Sequence, residues 1–480
     1  MSAQSKETNQ SKTSTLPEID YEAFRDTIGT VDQEGKRRWI YPKKPAGRYH
    51  RRRIGVSIVL LSLLFLGPIL KWNGQPMFLF NILERKFIIF GLTFWPQDFH
   101  LFVLAMLSFM VFVVLFTVVF GRVWCGWACP QTIFMEMVFR KIEYWIEGDR
   151  NQQLKLNEAP WNTEKIIKKG SKLLIFYAIS FLIANTLMAY LIGLDEVAKI
   201  VTESPFENWG KFTGVMIFSG IFFFIFSYFR EQACIAVCPY GRLQGVMLGK
   251  DSIVVAYDFL RGEPRQRVKK NQVREGGNCI DCSLCVQVCP TGIDIRNGTQ
   301  MECVNCTACM DACDDVMDKV GFDRGLIRYD SYNGIASKTP FRFTARILGY
   351  SLVLVALLSV LGFLLAGRSM VETTLLRTPG MLFKKTDDGM ISNLYNIEVV
   401  NKTAETFEME LKLVSHDGRI RQVGAEKLHV NPRDITKSAL FVDIPPDELT
   451  GNKTQIEIEV WSGDKMLDHV TTNFLGPVKH

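Results

Sequence analysis

Eight of the twelve cysteines in this chain have a spacing that suits iron–sulfur ligation. The pattern C-x2-C-x2-C-x3-C occurs twice, in Cys279, Cys282, Cys285 and Cys289 and again in Cys303, Cys306, Cys309 and Cys313. In modules with two clusters, three cysteines of one run hold one cluster and the fourth ligates the other. We therefore predict one 4Fe-4S cluster on Cys279, Cys282, Cys285 and Cys313, and a second on Cys303, Cys306, Cys309 and Cys289.

Structural zinc is the alternative for these eight residues, because C-x-x-C pairs also bind zinc. A zinc site closes with four ligands in two pairs, whereas here a run of four recurs twice, which favours iron–sulfur clusters. The first run is followed by Pro290, as in bacterial ferredoxins, but Asp314 follows the second. This departure leaves ligation intact and predicts altered surroundings for the second cluster.

The other four cysteines form a second repeat, and we call them the membrane-edge cysteines: Cys125, Cys129, Cys234 and Cys238. Each pair has the form C-x3-C-P and follows a long apolar run. If the segment is helical, this spacing places both sulfurs on one face. A soft metal such as Cu(I) suits such thiolates. The alternatives are one further iron–sulfur cluster held by all four, or buried cysteines that act as small hydrophobic residues.

Other candidate ligands have simpler interpretations. His50 lies beside an arginine run and is expected at the solvated surface, while His100 fits a capping or interfacial role. The two lie on opposite sides of the predicted membrane, which disfavours a bis-histidine haem. Met106 and Met110 are one helical turn apart and could pass on Cu(I), although packing is the commoner use of such a pair. Asp98 lies at a predicted membrane boundary, where a charge needs no functional explanation.

Five apolar runs can hold these residues at a membrane, whose core requires about 20 residues per helix. Hydrophobic residues make up 48% of the 480 residues and alternate with charged stretches. The predicted spans are 54–71, 99–122, 172–194, 211–229 and 345–367. The stretch 76–94 is apolar but interrupted by charges, so we expect it to be interfacial or re-entrant.

Lys and Arg residues indicate the orientation. They cluster before the first run, between the second and third, and after the fourth. These segments are predicted to be cytoplasmic. With five spans, the amino terminus and the iron–sulfur module then face the cytoplasm and the carboxy terminus faces the periplasm.

The predicted fold is a multi-domain membrane protein: a five-span helical bundle, a bacterial-type ferredoxin module with two clusters, and a carboxy-terminal immunoglobulin-like β-sandwich. The last part is indicated by alternating segments such as Gln455–Trp461. The predicted parts are a disordered cytoplasmic tail (1–46), a transmembrane region with four spans and both C-x3-C-P motifs (47–250), the ferredoxin module (251–342), the fifth span (343–368) and the periplasmic β-domain (369–480).

Composition disfavours several functions. The net charge of +6 is modest and the basic residues lie beside apolar runs, so nucleic acid is not an expected partner. The β-domain contains no cysteine, and ferredoxin spacing argues for metal ligation over disulfides. Neither a Walker loop nor a flavin or nicotinamide glycine fingerprint occurs in a convincing context. Electrons must therefore come from an unknown protein donor or from a quinol.

Four stretches carry a resemblance to a known family: 71–76 (KWNGQP), 90–98 (FGLTFWPQD), 121–131 (GRVWCGWACPQ) and 238–242 (CPYGR). Together with the ferredoxin module, they resemble the CcoG (FixG/RdxA) family of accessory proteins for cbb3-type cytochrome c oxidase. The resemblance covers nearly the whole chain after about residue 35.

The resemblance implies a bacterial inner-membrane oxidoreductase that reduces Cu(II) to Cu(I) for oxidase assembly, with copper as substrate. Its expected partners are oxidase assembly factors or copper chaperones, and the chain could form a homo-oligomer. The eight ferredoxin cysteines would hold clusters, and the membrane-edge cysteines would be the catalytic copper site. One alternative is a quinol-linked polyferredoxin that feeds electrons to a respiratory partner; another is a non-enzymatic assembly scaffold.

Overall fold

The structure is a computed structural model that describes residues 37–72, 75–82, 86–89, 92–204, 206–267, 276–338, 343–380, 382–403, 405–424 and 428–477. Most of the predicted disordered tail (1–46) lies outside these residues. Its end does not, because residues 37–46 are described and make defined contacts: the Lys43 amide donates to the Gln287 carbonyl at 2.7 Å. Defined contacts therefore occur before the predicted boundary at residue 47.

Fifteen α-helices occur in the described residues. They are α1 Arg48–Leu66, α2 Phe99–Phe120, α3 Val123–Trp127, α4 Pro130–Ile133, α5 Arg140–Ile146, α6 Arg150–Glu158, α7 Thr163–Ile192, α8 Leu194–Thr202, α9 Trp209–Phe224, α10 Pro239–Met247, α11 Phe259–Gly262, α12 Leu284–Gln287, α13 Ala308–Val320, α14 Tyr332–Ser337 and α15 Ala345–Ala366. Wider π-helical turns cover Phe134–Phe139, Ile225–Phe229 and Ala233–Val237.

Four helices in the described part of the chain are long and apolar enough to cross a membrane. They are α2, α7, α9 with its following π turn, and α15. They coincide with four of the five predicted spans. Long side chains such as Phe109 and Leu352 are exposed along them, as expected where lipid replaces water.

The first predicted span (54–71) overlaps α1 but differs from it in extent. Helix α1 begins at Arg48, and its first two turns carry four arginines. It ends at Leu66, just before Gly67 and Pro68, and so its apolar part is shorter than the roughly 20 residues of a full span. A fifth crossing therefore stays a prediction.

Sixteen β-strands occur in the described residues. They are β1 Lys71–Trp72, β2 Gln75–Pro76, β3 Phe78–Asn81, β4 Lys86–Ile89, β5 Leu92–Phe94, β6 Val254–Tyr257, β7 Ile327–Asp330, β8 Val371–Arg377, β9 Lys384–Lys385, β10 Ile391–Asn401, β11 Phe407–Leu413, β12 Arg419–Gln422, β13 Leu428–Val430, β14 Ile435–Ile444, β15 Lys453–Ser462 and β16 Lys465–Leu475.

The chain divides into two compact units, of which the first contains all twelve cysteines. It comprises 1–66, 107–188 and 197–355. Within it, β6 and β7 pair antiparallel beside α12 and α13. The core between them contains Val255, Met310, Met317 and Leu326 together with several of the ferredoxin cysteines. This small core positions the two cysteine runs.

The second unit comprises 67–106, 189–196 and 356–480, and most of it is a β-sandwich. One sheet has the order β12-β14-β10-β8, with β9 also paired to β10, and the other has the order β13-β11-β15-β16. Alternate residues are buried along β15, as its sequence pattern predicts. Residues of both sheets, among them Tyr395, Val442 and Ile458, form one core.

The same unit contains a feature that the sequence did not predict. In the stretch 76–94, expected to be interfacial or re-entrant, β3, β4 and β5 form a three-stranded antiparallel sheet. Of the charged residues that interrupt its apolar pattern, Lys86 is the first residue of β4, while Glu84 and Arg85 lie outside the described residues. Strand pairing satisfies the backbone groups of this segment.

Candidate functional site: two ferredoxin loops and four membrane-edge cysteines

The two ferredoxin loops have the same unusual backbone at equivalent positions. Asp281 and Ser283 flank Cys282 with φ of 54° and 57°, and Asn305 and Thr307 flank Cys306 with φ of 54° and 67°. Side chains other than glycine rarely adopt this left-handed region, and it costs free energy that the surrounding structure must offset. The repeated conformation curls each loop around its cysteines.

The structure brings the eight cysteines together in the two predicted groups. One cavity is lined by Cys279, Cys282, Cys285 and Cys313. A second is lined by Cys289, Cys303, Cys306 and Cys309, and Cys285 also lines it. Each fourth cysteine thus lies with the other run, as crossed ligation requires.

The chemistry of both groups fits an iron–sulfur cluster. Burial raises the pKa of Cys306 to about 11 and that of Cys303 to about 12, and neighbouring thiols contribute to both shifts. Burial and the nearby Cys285, Cys279 and Cys282 likewise raise the pKa of Cys313 to about 12. Crowded, buried thiols lose their protons only when a cation compensates the negative charge.

Across the described ranges, no group of three or more Cys, His, Asp or Glu side chains is placed to hold one metal ion. The grouping of three cysteines from one run with one from the other is the ligand pattern of a two-cluster module, whereas a structural zinc site takes its ligands as two pairs.

Asp314, which replaces the expected proline, has a structural role. Its carboxylate accepts a hydrogen bond from the Gly325 amide at 2.9 Å and pairs with Arg48 at 3.1 Å. One turn earlier, Asp311 accepts from the free backbone amides of Tyr49 and His50 at the start of α1. Helix α13 therefore caps α1 and anchors it to the ferredoxin module.

The two C-x3-C-P segments share a local structure. Each follows a long helix through a residue of positive φ, Gly121 in the first segment and Arg230 in the second. The second cysteine of each pair, Cys129 or Cys238, is the extended N-cap residue of a helix that begins with proline. Proline is favoured at this first helical position because its missing N–H would have no partner there. The sequence repeat is thus also a structural repeat.

All four membrane-edge cysteines come close enough to interact electrostatically. Burial, reinforced by Cys129, Cys125 and Cys238, raises the pKa of Cys234 to about 12. Burial also raises the pKa of Cys125, where Cys129 adds to the effect and Arg122 opposes it. As in the ferredoxin loops, the sulfurs do not converge as ligands of one ion would within the described residues.

A buried arginine and glutamine support this site, and sequence reasoning did not single them out. Arg122 Nε donates to Gln244 Oε1 at 2.7 Å, and the Cys125 thiol donates to the same oxygen at 3.2 Å. Gln244 is fully buried, and its Nε2 has no hydrogen-bond partner in the described structure. The positive charge of Arg122 also acts on Cys303, in the ferredoxin loop. One buried cation therefore influences both cysteine sites.

The membrane-edge cysteines pack directly against the second ferredoxin loop. Cys125 shares an apolar cluster with Val304 and Cys306. Gly126 lies so close to the carbonyl of Val304 that a Cβ atom there would clash with it. On the other side, the buried Arg53 donates from Nε to the Gly126 carbonyl at 2.6 Å. Gly126 permits this close approach because it has no side chain, and its position between the two cysteines is the only trace of the contact in the sequence pattern of this segment.

A buried ion pair holds the second C-x3-C-P segment in place. Arg230, at φ 50°, donates both Nη atoms to the Glu143 carboxylate at 2.7 and 2.8 Å. Both side chains are almost fully buried. Such a bidentate pair is geometrically specific, and loss of one partner would leave a buried charge. It keeps Arg230 in its unfavourable backbone conformation.

The remaining candidate residues lie outside both sites. His50 is half-buried instead of solvated, and burial together with Arg53 and Lys141 lowers its pKa. His100, Met106 and Met110 are exposed on α2. Asp98 is buried and pairs with Arg368 at 2.6 Å and Lys402 at 2.8 Å, so it has a defined structural role within the second unit.

Three family models match separate parts of the chain. A 4Fe-4S binding domain matches residues 102–151, a 4Fe-4S dicluster domain matches residues 229–332, and an IG-like fold at the C-terminal of FixG matches residues 361–477. These matches confirm the predicted 4Fe-4S ferredoxin module and the immunoglobulin-like domain. The first model includes Cys125 and Cys129, and the second includes the other ten cysteines.

Curated relatives match most of the chain. The nitrogen fixation protein FixG of Rhizobium meliloti is 33% identical over 87% of this chain and 91% of its own length. Protein RdxA of Cereibacter sphaeroides is 32% identical, over 88% and 93% respectively. A solved structure of a FixG-related protein from Vibrio parahaemolyticus aligns with 22% of this chain and 97% of its own, at 19% identity and a TM-score of 0.20.

Proposed function

This chain belongs to the FixG/RdxA family of membrane-associated 4Fe-4S electron-transfer proteins, and from that premise we propose that it reduces Cu(II) to Cu(I) for assembly of a cbb3-type cytochrome c oxidase. One observation carries the proposal: the membrane-edge cysteines pack against the second ferredoxin loop, through Cys125 and Gly126 against Val304. Electron carriers and soft-metal ligands are thus neighbours in one unit.

The donor set suits this chemistry. Iron–sulfur clusters in the ferredoxin loops would supply single electrons at low potential. Thiolates stabilise Cu(I) over Cu(II), and so the membrane-edge cysteines bind the product of the reduction well. Arg122 favours the thiolate at Cys125, which prepares that sulfur for a metal. Arg122 and Cys125 both donate a hydrogen bond to the same side-chain oxygen of Gln244, which fixes their relative position.

We also propose that the chain lies in the inner membrane with five spans, the ferredoxin module in the cytoplasm and the β-domain in the periplasm. The two segments that carry the membrane-edge cysteines are separated by two spans and so lie on the same side. The backbone amides of Tyr49 and His50 contact the ferredoxin module at Asp311, which supports the same side for the start of α1. With the start of α2 on the opposite side, the proposal needs one crossing between Arg53 and Phe99. Helix α1 is the segment suited to that crossing.

A third cluster on the membrane-edge cysteines is the second candidate, and one observation favours it. A 4Fe-4S binding domain matches residues 102–151, which include Cys125 and Cys129. Iron analysis separates the two models. Two clusters give about eight irons per chain, whereas three give about twelve.

The test is the formation of Cu(I) by purified full-length protein. After reduction with dithionite and removal of excess reductant, the protein is mixed with Cu(II), and a Cu(I)-specific chelator reports the product. We expect rapid Cu(I) formation by the native chain and loss of most of it when all four membrane-edge cysteines are replaced by Ala. The matched control replaces Met106 and Met110 by Ala and should react normally. An unchanged rate and unchanged copper binding in the cysteine variant would refute the site.

A further inference from the structure

We propose that the open cavity beside Cys289 binds a flavin nucleotide, which serves as the immediate electron donor to the ferredoxin module. The cavity has a volume of about 240 Å³ and is open to solvent, so it would enclose part of a nucleotide and leave the rest at its mouth. It lies in the first unit, between residues 38–41 of the amino-terminal segment and the loop that carries Cys289. The inference rests on the proposed electron-transfer function and names a donor other than the protein or quinol that the sequence, without a flavin glycine fingerprint, led us to expect.

The amino-terminal segment is fixed over the loop at several points, and so the cavity is a built feature. The Lys43 amide donates to the Gln287 carbonyl at 2.7 Å, and the Lys44 amide donates to Asp149 at 2.9 Å. Tyr144 donates to the Pro42 carbonyl at 3.1 Å. Gly292 opposes Ile40 so closely that a Cβ atom there would lie 3.3 Å from the isoleucine side chain.

The walls combine aromatic rings with positive charge. Trp39 and Tyr41 line the cavity together with Arg38 and Arg150. Neither of these guanidinium groups forms an ion pair with any described residue, whereas the adjacent Arg37 pairs with Glu231 at 2.8 Å. Trp39 is held in position by Arg37 and Arg230, which lie 4.3 and 5.2 Å from its ring. A flat aromatic ligand that carries phosphate matches this lining, because rings stack on aromatics and guanidinium groups bind phosphate.

The position of the cavity indicates a redox ligand. Cys289 lines this cavity and also lines the cavity of the second ferredoxin loop. A molecule bound here would lie next to a cluster ligand, where an electron carrier is useful. Iron–sulfur clusters accept one electron at a time, which excludes a nicotinamide as direct donor because it transfers a hydride. A flavin can release its electrons singly.

The transfer balances with the acceptors of the proposed function. One reduced flavin, FMNH2, becomes FMN and releases two electrons and two protons. Two one-electron acceptors take the electrons, and the protons pass to solvent at the open mouth, where Arg38 is exposed. A donor of two electrons would thus explain why the module holds two clusters.

The test is a fluorescence titration of FMN with the full-length protein, since stacking on Trp39 or Tyr41 quenches flavin emission. We expect saturable quenching, and binding about tenfold weaker or worse in the double variant Arg38→Gln/Arg150→Gln. Arg324→Gln removes an exposed arginine on the ferredoxin module away from the cavity and should bind normally. The replacement Arg38→Lys keeps the charge and should retain part of the affinity.

Three results would overturn the proposal: absence of FMN binding, binding that the double variant retains in full, or displacement of FMN by ADP at equal affinity, which would show recognition of phosphate alone. Each is separable from a failure of the proposed function. Reduction of Cu(II) by dithionite-treated protein needs no flavin, and so it would continue in all three cases.

Discussion

The ferredoxin loops and the membrane-edge cysteines hold sulfur ligands in different ways. The ferredoxin loops take each set of ligands from short, closely spaced runs, whose strained backbone at Asp281, Ser283, Asn305 and Thr307 sets their shape. The membrane-edge cysteines come from two segments that are distant in sequence and meet through tertiary contacts, such as the hydrogen bonds of Arg122 and Cys125 to Gln244. The first site is encoded locally, whereas the second depends on tertiary structure.

Their electrostatic surroundings differ as well. Among the cysteines of the first predicted cluster, Cys282 is exposed, whereas Cys279 and Cys285 are buried. Around Cys125, by contrast, a buried arginine and a fully buried glutamine replace water. At the membrane-edge cysteines, residues that do not ligate metal can therefore affect the chemistry of the sulfurs. The predictions below separate the two sites, from the largest expected effect to the smallest.

Replacement of Cys306 by Ala should have the largest effect. It removes a ligand from the loop that both holds the second predicted cluster and contacts the membrane-edge cysteines. We expect iron and labile sulfide to fall from about eight per chain to about four or fewer. A variant that retained all its iron would show that Cys306 is not a ligand.

Replacement of all four membrane-edge cysteines by Ala should leave the iron content of the ferredoxin loops unchanged and abolish tight Cu(I) binding. Thiolates are the soft ligands that Cu(I) requires. Competition with a Cu(I) chelator, run beside iron analysis of the same preparation, measures both quantities. A loss of about four irons would instead assign a cluster to these cysteines.

Gly126→Ala should weaken the contact between the two sites without removing a ligand. The added methyl group collides with the Val304 carbonyl, and overpacking of this kind costs about 1–3 kcal/mol. We expect normal iron content and Cu(I) formation slowed severalfold. Gly170→Ala is the matched control, since this helical glycine faces open space. Equal rates in the two variants would argue against the contact as an electron path.

Asp98→Asn should affect neither cysteine site and should destabilise the second unit. Burial alone would raise the pKa of Asp98, but Arg368 and Lys402 hold it below its usual range. The stabilisation is therefore complete above the unfolded pKa, near 4, and is lost as the pH falls through the folded value. Loss of one partner from a buried pair costs about 3–5 kcal/mol.

Thermal unfolding as a function of pH measures this effect. The native chain should lose the stabilisation by the Asp98 ion pairs in acid, and Asp98→Asn should lack that stabilisation already at neutral pH. Asp388→Asn removes an exposed ion pair and should behave like the native chain. A variant that also lost copper reduction would show that Asp98 acts on the cysteine sites.

Sequence reasoning identified the ligand types and four helices that could span a membrane because these depend on local spacing and composition. The x2-x2-x3 repeat led to the two groups of cysteines, and alternation led to the β-sandwich. Arg122 and Gln244 could not be found in this way, since a buried polar pair becomes visible only when α2 and α10 are placed. The short strands β3, β4 and β5 were missed because charged residues interrupt the apolar pattern of this stretch.

Two further differences have physical causes. The amino-terminal segment 37–46 was assigned to a disordered tail for its polar composition, but its order comes from contacts with the distant residues Gln287 and Asp149. Asp314 was expected to alter the surroundings of a cluster, and its charge does contribute to the raised pKa of Cys313; its carboxylate also accepts from Gly325 and pairs with Arg48. Gln287, Asp149 and Arg48 all lie far in the sequence from the residues that they contact.

The most direct test of the account is a single-turnover experiment on the reduced protein. Mixed with Cu(II) in a stopped-flow instrument, the native chain should recover the visible absorbance of oxidised clusters as Cu(I) appears, at matching rates. The variant with Ala at all four membrane-edge cysteines should retain its reduced clusters over the same period. Equally fast reoxidation in that variant would show that electrons leave the ferredoxin loops by another route and would contradict the central claim.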